Sequence, residues 1–68
     1  MKESCRKLYY VQKLVKNYNR NHSMRQLRIV TYSIETNVIW IADNLGTSAS
    51  RIFVNKPKKH IKEQFKYV

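Results

Sequence analysis

Cysteine, glycine, proline and tryptophan each occur once in these 68 residues, and only four side chains are acidic. A lone Cys5 excludes an intrachain disulfide and a cysteine-rich zinc site. It reads as a small apolar residue on a helix face, and it suits a reducing, intracellular, cytoplasmic setting. A lone Gly46 leaves no glycine-rich loop to cradle phosphate. Glu3, Glu35, Asp43 and Glu63 form no spaced carboxylate pair suited to acid–base work, and no serine or cysteine sits in a nucleophile context. The chain reads as a non-enzyme with neither metal nor cofactor. No apolar run approaches the roughly 18 residues of a membrane-spanning helix. The first apolar cluster, residues 8–11, is broken by Gln12 and Lys13, unlike a secretory leader. Asn21-His22-Ser23 fits the N-glycosylation triplet, a coincidence in a chain with no sign of a secretory route.

What the chain has is positive charge, a formal +10, and that charge is segregated. Residues 1–28 carry eight lysines and arginines against Glu3, a net +7. Residues 29–55 carry only Arg51 against Glu35 and Asp43, a net −1, and residues 56–68 return to +4. A nearly neutral, apolar middle thus lies between two cationic ends. Such a balance speaks of association with a polyanion more than of fold. At this length the chain makes one small domain, 1–68, that buries only about 60% of its unfolded surface. Frequent Lys, Asn, Ile and Tyr suggest an AT-rich genome, and phages and mobile elements commonly encode small basic proteins of this kind.

Residues 4–20 predict an amphipathic helix. Leu8, Val11, Leu14, Val15 and Tyr18 share one broad face, and Arg6, Lys7, Lys13, Lys16 and Asn17 cover much of the rest. A polar connection follows. Three blocks rich in β-branched and aromatic residues come next, 27–34 (LRIVTYSI), 38–42 (VIWIA) and 51–54 (RIFV), each with the composition of a strand. Asn37 can adopt the left-handed backbone that a tight hairpin needs, and Asp43-Asn44-Leu45-Gly46 supplies a second reversal. Pro57 suits the first turn of a last helix, with Asn55 as its cap, and Ile61, Phe65 and Val68 form its apolar stripe. The fold expected is α+β: an N-terminal amphipathic helix, a three-stranded antiparallel meander and a C-terminal helix, with Trp40 in the core.

That order is similar to the order in double-stranded-RNA-binding domains, and Lys58-Lys59-His60-Ile61-Lys62 resembles their basic second helix. The other signature residues of that family are not evident. An all-α alternative also stands. Residues 38–55 partly resemble a helix-turn-helix, with Ile41, Ala42, Leu45, Gly46, Ser48 and Ile52 at matching spacing and Asn37 and Ser48 as caps. Ser23-Met24-Arg25-Gln26 would open a preceding helix as a capping box. Against it, Ile39 and Trp40 fall where that motif is polar, and Thr47 and Asn55 fall where it packs apolar residues.

The basic residues carry the functional signal. Lys56, Lys58, Lys59 and Lys62, with His60, cluster at the start of the last helix, where backbone N–H groups and the macrodipole favour an anion. Lys7, Lys13, Lys16 and Arg20 form a second stripe along the first helix. Arg25, Arg28 and Arg51 can make bidentate contacts that lysine cannot, and Phe53 beside Arg51 suits either stacking on a base or an interface. The expected function is nucleic-acid binding, DNA ahead of RNA, mainly through the phosphate backbone and in an accessory or regulatory role. Alternatives are a helix-turn-helix transcriptional regulator, a small inhibitor or adaptor docking on an acidic protein partner, and a basic peptide at anionic membranes. A homodimer is compatible with each of the soluble readings.

Overall fold

The computed structural model describes residues 3–46 and 50–68, with side chains from Cys5 onward. The first helix, α1, runs Glu3–Asn21. No Gly or Pro interrupts it, and its apolar stripe is the expected one. Val11 and Val15 are buried, and Leu8, Leu14 and Tyr18 pack against the same cluster. Arg20 stands in the last turn, where a cation complements the helix dipole. The helix stops where the apolar periodicity stops. His22 stacks on Tyr18 with ring centroids 3.8 Å apart. Asn19 then ties the helix to the sheet, its amide donating to the Leu27 carbonyl at 3.0 Å and its oxygen accepting from the Leu27 N–H at 2.7 Å.

Three antiparallel strands follow in the order β1-β2-β3: β1 Leu27–Ser33, β2 Val38–Asp43 and β3 Ser50–Phe53. Across the first pair Ile29 faces Ile41 and Tyr32 faces Ile39, while Val30 is an extra residue in β1. This bulge repairs a pattern fault. Strict alternation from Leu27 and Ile29 would send Thr31 inward and Tyr32 outward, whereas one inserted residue restores Tyr32 to the core face. Across the second pair Ile39 faces Ile52 and Trp40 faces Arg51. Asn37 closes the first hairpin at φ 55°, and Gly46 takes φ 79° after the second strand. Both positions match the turn chemistry that the sequence suggests.

The second helix, α2, spans only Lys58–Gln64 before a 3₁₀ turn over Phe65–Tyr67. Its cap differs from expectation. Pro57 is itself the N-cap, its carbonyl accepting from His60 and Ile61 at 2.9 and 3.0 Å, with no side-chain cap. Proline disfavours helical backbone in the residue before it, so Lys56 stays outside the helix and Asn55 is too early to cap it.

Both helices pack on one face of the sheet. Val11 and Val15 of α1, Ile39, Ile41 and Ile52 of the sheet, Val54 and Ile61 of α2 make one continuous core. The architecture is therefore α+β. It overturns the helix-turn-helix alternative, because residues 38–43 and 50–53 are strands and residues 22–26 are an irregular connection. β-Branched residues at alternating positions can bury one face of a sheet, and here that pattern prevails over local helix spacing. Ser48, the second cap in that alternative, lies outside the described residues. Trp40 is a further correction. It sits on the outward face of β2, half-buried, and is not part of the core cluster.

Candidate nucleic-acid interface

The two cationic ends of the chain meet in space. Ile61 is fully buried against the face of α1 that carries Val11, which sets α2 beside the first turns of α1. Tyr10 reinforces the junction. Its hydroxyl donates to the Lys58 carbonyl at 3.4 Å, and the Lys58 ammonium lies 5.3 Å from its ring centroid. The result is a cleft of about 430 Å³ lined by Arg6, Lys7, Asn55, Lys56, Pro57 and Lys58. Two stretches that read as separate surfaces in the sequence share this edge. Lys59, His60 and Lys62 are exposed on α2 next to it. Lys62 also borders, with Lys66, a groove of about 220 Å³ between the helices, floored by Leu14, Tyr18 and Phe65.

The remaining residues of the first-helix stripe spread around its surface. Lys13 and Arg20 are exposed, and the Lys13 ammonium lies 4.8 Å from the Tyr9 ring centroid. Lys16 stands on the β1 side of α1, lining a shallow depression with Gln12, Val15 and Ile29. It does not join the cleft.

Arg25 goes elsewhere. Its Nε donates to the Asp43 carboxylate at 2.6 Å, and its Nη1 donates to the Val68 main-chain oxygen at 2.8 Å and to the Tyr18 hydroxyl at 3.3 Å. The Asp43 side chain is wholly buried. The hydrogen bond it donates to Asp43, and after it the one to Tyr18, raises the guanidinium pKa above its ordinary value. Asp43 also accepts from the Leu45 N–H at 2.9 Å, shaping the turn after β2. Arg25 is thus a clasp joining the end of α1, the end of β2 and the last residue of the chain through its Nε and Nη1.

Arg28 and Arg51 occupy a different surface, the sheet face opposite the helices. Side chains alternate along each strand, so this face carries Arg28, Thr31 and Ser33 from β1, Val38, Trp40 and Ala42 from β2, and Arg51 and Phe53 from β3. The Arg51 guanidinium lies 5.6 Å from the Trp40 ring centroid and 5.8 Å from that of Phe53. Depressions flank it on either side. One of about 430 Å³ is lined by Ser33, Thr36, Val38, Trp40, Arg51 and Phe53. The other, of about 370 Å³, reaches Gln64 and Tyr67. The Gln64 amide holds the Phe53 peptide on both sides, donating to its carbonyl at 2.7 Å and accepting from its N–H at 2.8 Å.

Sequence reasoning placed Trp40 in the core, named Arg6 only as part of the polar face of α1, and missed Tyr10 and Gln64. Strand parity sets Trp40 opposite Ile39 and Ile41, and the pairing with β1 and β3 turns its side outward. Among the described residues no group of three His, Cys, Asp or Glu is placed to hold a metal ion. None of the described helices is long and apolar enough to cross a membrane. No protein-family model matches the chain, and neither a curated protein nor a solved structure matches it.

Proposed function

We propose that this protein binds nucleic acid in an accessory or regulatory role, chiefly by holding the phosphate backbone along the edge where α1 meets α2. The observation that carries this reading is the cleft in which Arg6, Lys7, Lys56 and Lys58 converge. Bringing like charges together from both ends of the chain is unfavourable in the free protein, and a polyanion reverses the sign of that term. Lys59 and Lys62 extend the same edge, while Glu63 is the only acidic residue on α2. Phosphate contacts from flexible cationic side chains of this kind carry no sequence information directly, so affinity is broad across sequences. DNA is the first polymer to test, RNA the second.

Counterion release sets the expected magnitude. Neutralising six phosphates of a duplex gives a slope of about −5 in log K against log salt, or roughly 10³-fold weaker binding between 50 and 200 mM. Fluorescence anisotropy with labelled duplex and single-stranded oligonucleotides measures it. Replacing Lys58, Lys59 and Lys62 together with alanine leaves the core untouched and should flatten the slope by roughly 2–3 units. An unchanged slope in the folded variant removes this edge from the interface. Salt-tolerant binding to an acidic protein, with no shift of any oligonucleotide, overturns the reading in favour of an adaptor.

A further inference from the structure

We propose that the outward face of the sheet is a stacking platform for the unpaired bases of a single-stranded nucleic acid, built from Trp40, Arg51 and Phe53. The proposal deepens the nucleic-acid reading and rests on it, but it names a second surface and a strand state that the lysine edge leaves open.

The case begins with what lies uncovered. Both helices pack on the other side of the sheet, and among the described residues no element covers this face. Phe53 remains 39% exposed at the end of an edge strand and is absent from the core cluster. A globular chain with that ring free to turn inward would bury it, yet the inward positions on either side of it are held by Ile52 and, just past β3, by Val54. The parity of the strand keeps Phe53 outside.

The composition of the face then selects the occupant. Trp40 and Arg51 are direct cross-strand partners, about 4.8 Å apart between strands, and Arg51 and Phe53 are about 6.8 Å apart along β3. Two aromatic rings and a planar cation therefore occupy neighbouring places on one surface. A guanidinium packed against rings presents its own plane, and bases stack both on aromatic side chains and on arginine planes. Thr31 and Ser33 lie in the same two rows on β1 and add hydroxyls that can bond base edges or sugar. Arg28 extends the positive charge along the sheet. No outward side chain of the three described strands is a carboxylate.

The charge argues against the other occupants. A second copy placed face to face would bring two sets of Arg28 and Arg51 together in a protein of formal charge +10. A paired duplex keeps its bases stacked on one another and offers this face no free ring. An unpaired strand supplies both missing parts, flat bases for the rings and phosphates for the arginines. Gln64 links the two surfaces, because it belongs to the lysine-bearing helix and holds the Phe53 peptide from both sides.

Trp40 is the only tryptophan in the chain, so its fluorescence reports on this face alone. Titrating the protein with oligo(dT) and oligo(U) at low salt should quench Trp40 emission, whereas a blunt duplex should bind without comparable quenching. Phe53→Ala should weaken single-strand binding about 5- to 100-fold and leave both duplex binding and the salt slope unchanged, since no charge is lost. Arg51→Lys keeps the charge and removes the plane, and it should reproduce the single-strand defect without altering the slope. Circular dichroism confirms that each variant is folded.

If no oligonucleotide binds at low salt, the nucleic-acid reading itself fails. If binding and its salt slope persist but Trp40 is not quenched and Phe53→Ala binds single strands like the parent, the platform is refuted and the lysine edge stands. Concentration-dependent dimerisation abolished by Phe53→Ala, seen by sedimentation, refutes the platform in favour of a second copy.

Discussion

Replacing Arg25 with alanine should cost this protein a large share of its stability. The guanidinium faces a wholly buried Asp43 carboxylate at 2.6 Å and at the same time holds the Val68 main-chain oxygen at 2.8 Å. Removing one partner of a buried ion pair leaves an uncompensated charge and costs about 3–5 kcal/mol. Two features lower that figure here. The Arg25 side chain is 24% exposed, so water reaches the gap, and Asp43 keeps its bond from the Leu45 N–H. An expected loss of about 2–4 kcal/mol follows. At roughly 0.05–0.15 kcal/mol per residue the whole chain has only about 3–10 kcal/mol. Urea unfolding followed by Trp40 emission and far-UV circular dichroism measures the change. With a slope near 1 kcal/mol per molar, the midpoint should fall by about 2–4 M. Arg25→Lys retains the charge but not the fork that reaches Asp43 and Val68 together, and it should lose an intermediate amount. A loss below about 1 kcal/mol for Arg25→Ala at unchanged slope would refute the clasp.

Two further outcomes test the packing and the turn. The Tyr32 hydroxyl is buried with no hydrogen-bond partner among the described residues, so Tyr32→Phe should leave stability unchanged or raise it by up to about 1 kcal/mol in urea unfolding; a loss of that size would mean the hydroxyl is paired. Asn37 holds φ 55° while its carbonyl accepts from Val54 at 2.9 Å, so Asn37→Gly should be nearly neutral and Asn37→Ile should cost about 1–2 kcal/mol; equal thermal midpoints for the two variants would contradict the left-handed turn.

How legible this fold was depended on distance along the chain. The stripe of α1, the three strand blocks and the turns at Asn37 and Gly46 are local patterns, and they read correctly. The short last helix was visible in Ile61, Phe65 and Val68, but its cap was misplaced because Pro57 acts on the residue before it. Trp40 was misassigned because Val38–Ala42 is apolar at every position, so period-2 alternation could not say which side faces inward. Only pairing with β1 and β3 decides that. The bulge at Val30 hid the parity of β1 in the same way. Arg25 looked like a free cation since its partner, Asp43, is 18 residues away and meets it only once the sheet has formed. The cleft at the lysine edge has the same origin, for Arg6 and Lys56 are brought together only by helix–helix packing.

The grip of Gln64 on Phe53 also closes the end of the sheet's β3 edge. An amide that donates to one carbonyl and accepts from the adjoining N–H satisfies the two groups a fourth strand would use at that place. A side chain therefore occupies the next lane beside Phe53, at the end of the edge strand Ser50–Phe53. Exposed edges beside apolar faces are the usual route by which sheets join end to end into aggregates. Here the lane is closed at Phe53, the exposed ring of β3, so at that point the edge is kept from pairing with the edge of another copy.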